Sequence, residues 1–169
     1  MESKTPGDSI REQMLAGVVG FVRAVAPLVG VRRIALIGSI MTAKPTPKDI
    51  DLLVTVADDA DLAPLARCAR QLQGRLQGLT QWADVFLADE RGRYLGRTCT
   101  WRECRPGIRA SCDALHCGRR LHLHDDLGDV RLNQALIASP PVEIFPTVIR
   151  RSPVPPDVEA LLATIEHAV

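Results

Sequence analysis

The sequence predicts an α/β (α+β) fold, a small mixed β-sheet with flanking helices. Three observations predict it. Short apolar runs over 31–37, 50–56 and 82–88 are rich in Val, Ile and Leu and bounded by Gly, Pro, Lys or Asp, as strands are. Helically spaced apolar residues precede the first run and fill the gap between the second and third. Composition is that of a globular chain, with 46% apolar and 24% charged residues among 169, which excludes a wholly disordered protein. No repeat or biased tract points to a solenoid, collagen or coiled coil. The expectation is one domain over 1–169: a core over about 9–90, a Cys- and Arg-rich elaboration over about 91–150 and a C-terminal helix over about 157–168.

Residues 1–8 are polar and lack a core pattern. Ser9 or Asp8 caps the first helix, and Glu12, three residues after Ser9, completes a capping box. Ile10, Met14, Val18, Phe21, Val22 and Val25 then form its apolar face, until Pro27 and Gly30 end it. Val31–Ile37 reads as a strand, followed at once by Gly38 and Ser39. Residues 41–48 carry two prolines and no period, and read as a loop. Ile50–Val56 has little alternation, as in a strand buried on both faces. Residues 58–76 fit a helix with acids at its start and Arg67, Arg70 and Arg75 towards its end; Pro64 requires its true start to lie near that residue. Trp82–Ala88 is the third strand.

Beyond residue 88 the pattern weakens. Residues 89–128 show little helical period. Asn133 can cap a short helix to Ala138. Residues 142–149 read as extended with a break at Pro146, and Pro153, Pro155 and Pro156 make a stiff connector. Val158, Leu161, Leu162 and Ile165 mark one face of the last helix. The longest uncharged run near the N-terminus, 14–22, is far shorter than the roughly 20 residues of a membrane span. It lies inside an amphipathic pattern, so no targeting signal is read and a cytoplasmic protein without membrane contact is expected.

The stretch that carries chemistry is Ile37-Gly38-Ser39, a nine-residue spacer, then Asp49-Ile50-Asp51 opening the second strand. In a strand, residues i and i+2 share a face, so Asp49 and Asp51 project together. Crowded, partly buried carboxylates repel, and a hard divalent cation resolves that conflict. Mg²⁺ takes one or two carboxylates together with substrate phosphates and water. Gly38 allows a tight turn where backbone approaches a phosphate, and the Ser39 hydroxyl with nearby amides can donate to phosphate oxygens. Read without that context, Asp49 is a turn cap and Asp51 a surface acid.

On Ile37, Gly38, Ser39, Asp49, Ile50 and Asp51, and on the order helix, strand, Gly-Ser loop, strand, helix, strand, the sequence resembles the nucleotidyltransferase superfamily related to DNA polymerase beta. The resemblance covers about residues 10–90. It implies a third carboxylate on the next core strand, at the matching position Asp84, and two Mg²⁺ ions held by Asp49, Asp51 and Asp84. It implies transfer of a nucleoside monophosphate from a nucleoside triphosphate such as ATP to an acceptor hydroxyl, with release of pyrophosphate. The acceptor is open: a small molecule, an RNA end or a protein side chain. The chain departs from common small members of the family. It lacks an Arg and Gly soon after Gly-Ser, and a Ser before the first Asp. Lys48 or Lys44 in the spacer would meet phosphate as a point charge only, and solvated loop lysines are the commoner reading.

Net charge is +1, so no global field draws the chain to nucleic acid or membrane. Between 91 and 124, however, eight arginines stand against Glu103 and Asp113, an excess of six positive charges. The same stretch holds Cys99, Cys104, Cys112 and Cys117, with His116, His122 and His124 beside them. Four thiolates in two evenly spaced pairs are a candidate structural Zn²⁺ site, in competition with simple burial and with oxidation. Cys68, mid-helix, reads as core, and His122 and His124 as one face of a strand. Two other functions stay open: an antitoxin-like or regulatory partner-binding protein on the same fold, and a zinc-stapled nucleic-acid-binding module built on 91–124.

Overall fold

The computed structural model describes residues 9–100, 120–124, 127–128 and 130–168. Helix α1 spans Ile10–Val25 and starts with the expected capping box, Ser9 Oγ accepting from Glu12 N and the Glu12 carboxylate accepting from Ser9 N. Strand β1 (Val31–Ile37) leads through Gly38 into a short 3-10 turn over Ser39–Met41. Strand β2 (Asp49–Val56) is followed by helix α2 (Ala63–Gln77), which starts at the position Pro64 demands, and by β3 (Trp82–Ala88). The later part of the chain supplies β4 (Tyr94–Thr98), β5 (Leu123–His124), the short helix α3 (Gln134–Ala138, capped by Asn133), β6 (Val142–Phe145), β7 (Ile149–Arg150) and helix α4 (Pro156–Glu166).

These strands form one mixed seven-stranded sheet in the order β5-β4-β3-β2-β1-β6-β7. The mixed α/β architecture expected from the sequence is present, on a larger sheet. Strands from beyond residue 90 extend it on both sides: β4 pairs with β3, and β6 pairs with β1. Only β2 and β3 pair in parallel, with α2 as the crossover.

The two faces of the sheet differ. Ile34, Leu36, Ile50, Leu52, Val54, Val85 and Leu87 point to one side and form the main core with Met14, Val18 and Val25 of α1, Leu65, Leu72 and Leu76 of α2, and Val158 and Leu162 of α4. The other side carries a smaller cluster of Ala35, Ile37, Leu53, Phe86 and Ala88 under Ile137 of α3. Continuous apolar runs in β1–β3 therefore reflect cover on both faces, heavy on one and partial on the other. Asp49, Asp51 and Asp84 fall on the face that, among the described residues, carries the smaller cluster.

Nothing in the local pattern around Arg11 indicates its role. Although in the first turn of α1, it is 7% exposed. Its guanidinium donates to both carboxylate oxygens of Asp157 in α4 and to the carbonyls of Ile40 (2.8 Å) and Lys44 (3.0 Å). One side chain thus ties α1, α4 and the spacer after Gly38 together, and the pairing holds the Asp157 carboxyl below its ordinary range. A buried guanidinium is tolerable only with such full pairing. Two expectations change. His122 has a positive φ of 65° and precedes β5, so it does not share a strand face with His124. Cys68 is half-buried at the edge of the core rather than enclosed by it. No helix among the described residues is long and apolar enough to cross a membrane.

Removing the carboxylate by Asp157→Ala leaves the Arg11 charge half-satisfied. Because Asp157 is one-third exposed, water replaces part of what is lost. The expected cost is about 2 kcal/mol by urea denaturation. Amide exchange in 40–46 is expected to speed up more than in β1.

Candidate active site

The site is built by strand register. In the parallel pair, Asp51 lies opposite Asp84 and Asp49 opposite Trp82; across the antiparallel pair, Asp51 lies opposite Ile37. The residues named from the Gly-Ser and Asp-x-Asp pattern are therefore brought to one end of one sheet face. Gly38 has φ 79°, a left-handed conformation natural to glycine, and a Cβ on it would collide with the Asp51 carboxylate. The turn after β1 consequently packs its backbone directly against Asp51. Ser39, half-buried, opens the 3-10 turn, and its carbonyl accepts from Thr42 N and Thr42 Oγ1.

Electrostatics at Asp51 follow from this crowding. Burial, then the charges of Asp49 and Asp84, push its carboxyl up from 3.8 to about 7. Asp84 accepts at Oδ1 from the Trp82 indole (3.2 Å) and faces the Arg97 guanidinium of β4 at 3.6 Å. Arg97 belongs to the arginine-rich stretch, but its place beside Asp84 was not legible in the sequence. It depends on β4 pairing with β3 so that Arg97 lies opposite Phe86, two residues on from Asp84.

This donor set suits a divalent cation. It is acidic and oxygen-only, and its central member is destabilised as an anion by the neighbours a cation would neutralise. Among the described residues no three His, Cys, Asp or Glu side chains converge closely enough to hold a metal by themselves.

Lys48 is exposed, and its carbonyl accepts from Trp82 N, which anchors the start of β2 to β3. Lys44 is exposed as well. Asp89 sits just past the opposite end of β3. There it accepts from Arg91 N, Arg93 N and Arg93 Nε, and these bonds hold its carboxyl below the ordinary range; it closes the β3–β4 turn.

Cys99 is buried against Ala66 and its sulfur accepts from Arg70 Nη1 at 3.5 Å, while Cys104, Cys112 and Cys117 lie outside the described residues. Arg120, from the end of the Arg-rich stretch, donates to the carbonyls of Ala57 and Ala60 and so ties that stretch to the loop after β2.

Two expected outcomes test this geometry. The Asp51 carboxyl is protonated more readily in the folded than in the unfolded chain. Its contribution to stability is therefore full below about pH 4 and lost as pH rises through about 7. Asp51→Asn should unfold a few degrees (about 2–8 °C) above the wild type near pH 8, with the gap closing near pH 4, in paired thermal scans. Gly38→Ala should cost about 1–3 kcal/mol in urea denaturation, through strain and the clash with Asp51.

Compared with known proteins, the chain matches no family model, no curated protein and no solved structure.

Proposed function

We propose that the chain is a metal-dependent nucleotidyltransferase that moves a nucleoside monophosphate from a nucleoside triphosphate to an acceptor hydroxyl. The observation that carries the proposal is the placement of Asp49, Asp51 and Asp84 at one end of one sheet face, with the Gly38 turn packed against Asp51. Supporting it, an acidic set with a carboxyl raised to about 7 is costly to keep and is common where a charged substrate is handled.

Asp49 and Asp51 would hold Mg²⁺, with Asp84 as the third ligand. Bound there, the metal supplies charge neutralisation for the triphosphate and the leaving pyrophosphate, and lowers the pKa of the acceptor hydroxyl. The protein's own groups do the positioning. Backbone amides after Gly38 and the Ser39 hydroxyl donate to phosphate oxygens, and Lys48 adds a point charge from the end of the spacer. The acceptor oxygen bonds to the α-phosphorus as the bond from that phosphorus to the pyrophosphate oxygen breaks. The acceptor's proton passes to the Asp84 carboxylate, which the Trp82 indole orients. Most of the rate in such a reaction comes from alignment and charge placement. Arg11, by holding the Ile40 and Lys44 carbonyls, sets the spacer that carries Ser39 and Lys48.

A second reading has its own support. Arg97 already engages Asp84, and no three ligands converge among the described residues. These features favour a partner-binding protein on the same fold. Calorimetric titration of Mg²⁺ with each nucleoside triphosphate separates the two. The wild type is expected to bind nucleotide only with Mg²⁺. The double variant Asp49→Ala/Asp51→Ala is expected to lose more than the roughly 10–100-fold that removing an outer-shell partner costs. Equal binding by both folded proteins, or none by either, would overturn the catalytic reading. Stable co-purification with a second protein would then favour the partner-binding one.

A further inference from the structure

Strand pairing puts a fourth residue among the three acids. In the parallel pair of β2 and β3, Asp49 lies opposite Trp82 and Asp51 opposite Asp84. Residues i and i+2 of a strand share a face, so the four side chains stand at the corners of one patch, about 5 Å across the strands and about 7 Å along them. Each of the four is half-buried, while Ile50 and Ala83 between them point into the main core. The fourth corner is an indole, the one apolar side chain of the patch. Its place is fixed at two points. Trp82 N donates to the Lys48 carbonyl at 3.0 Å, and Trp82 Nε1 donates to Asp84 Oδ1 at 3.2 Å.

Core packing does not account for this ring. Trp82 belongs to neither core cluster, and among the described residues its ring meets no other aromatic. With its N–H edge bound to Asp84, the indole offers its flat faces. An aromatic body held by its polar tip at the rim of an acidic site is a stacking surface for a planar ring. The patch also has a direction. The Gly38 turn, where outer phosphates would rest, packs against Asp51, and Trp82 stands at the corner diagonal to Asp51. A nucleotide laid with its outer phosphates at that turn and its α-phosphate over the acids points its nucleoside end across β2 towards Trp82. Two strand spacings, roughly 10 Å, separate β1 from β3.

We propose that Trp82 is the surface on which the nucleobase of the triphosphate stacks. The inference rests on the nucleotidyltransferase reading of this site and adds to it a residue that holds the nucleoside end, which neither the acids nor the Gly38 turn can do. No covalent bond changes in the contact. Because every base has a π-face, such a surface adds affinity for a nucleotide over its bare phosphates.

The test is calorimetric titration of the full chain in Mg²⁺ with two probes: inorganic tripolyphosphate, and the tightest-binding of the four α,β-methylene nucleoside triphosphates. Trp82→Phe and Trp82→Leu both remove the N–H that Asp84 accepts, and only Phe keeps an aromatic face. Trp82→Leu is expected to bind the nucleotide about tenfold more weakly than Trp82→Phe. The two variants are expected to bind tripolyphosphate alike. Equal nucleotide binding by both variants, beside a wild type that binds it, overturns the stacking role and leaves the nucleotidyltransferase reading standing. A loss of tripolyphosphate binding in Trp82→Leu as large as its loss of nucleotide also overturns the role, because the base then contributes nothing. A folded wild type that binds neither probe overturns the reading of the site and this inference with it. Should the variants not fold, the wild type decides by nuclear magnetic resonance. The Trp82 ring-proton signals are expected to move upfield with nucleotide and not with tripolyphosphate, and signals that respond alike to both overturn the proposal.

Discussion

Parallel pairing of β2 with β3 sets Asp51 opposite Asp84, and Asp49 stands two residues away on the same face. Burial and then the charges of Asp49 and Asp84 push the Asp51 carboxyl up to about 7, and the turn at Gly38 packs its backbone against that carboxylate. The surrounding structure is arranged around this repulsion. Register holds the strands in place through many backbone bonds, so the carboxylates cannot part without breaking the sheet. Charge must then be relieved locally, by a proton on Asp51, by the guanidinium of Arg97, or by a cation.

Rigidity for this arrangement comes from the other face. The main core packs α1, α2 and α4 against the sheet and fixes the strands from behind. Among the described residues, the face bearing the acids carries a small cluster under α3. A sheet covered in this way is held firmly by the fully buried face. Arg11 extends that hold. Buried beneath the spacer after Gly38, it ties that loop to α1 and α4, so the turn facing Asp51 is carried by the helical layer as well as by the strands.

Arginine recurs at the joints of this fold. In the Arg11–Asp157, Arg33–Glu143 and Arg93–Asp89 pairs the guanidinium makes directed bonds that join elements distant in sequence or close a turn. Arg97 of β4 faces Asp84 at 3.6 Å. Residue type is the same in every case, so an excess of arginine over 91–124 could not by itself show which of them reaches the acids.

Local signals in the sequence determined the elements of the first half. Ser9 and Glu12 set the start of α1, Pro64 the start of α2, and uninterrupted Val, Ile and Leu runs the three central strands; Gly38, Asp49 and Asp51 are legible because i, i+2 spacing on a strand dictates a shared face. These are short-range properties of the chain. Tertiary structure alone decided what stands beside them. The register of β3 against β2 placed Asp84 opposite Asp51, and β4 brought Arg97 to Asp84. A fold from the last helix brought Asp157 to Arg11 across 146 residues. Strands β6 and β7 joined the far edge of the sheet with only four and two residues, too few to show a period. The physical reason is the same throughout: periodicity and capping report on neighbours in sequence, whereas charge pairing and strand register report on neighbours in space.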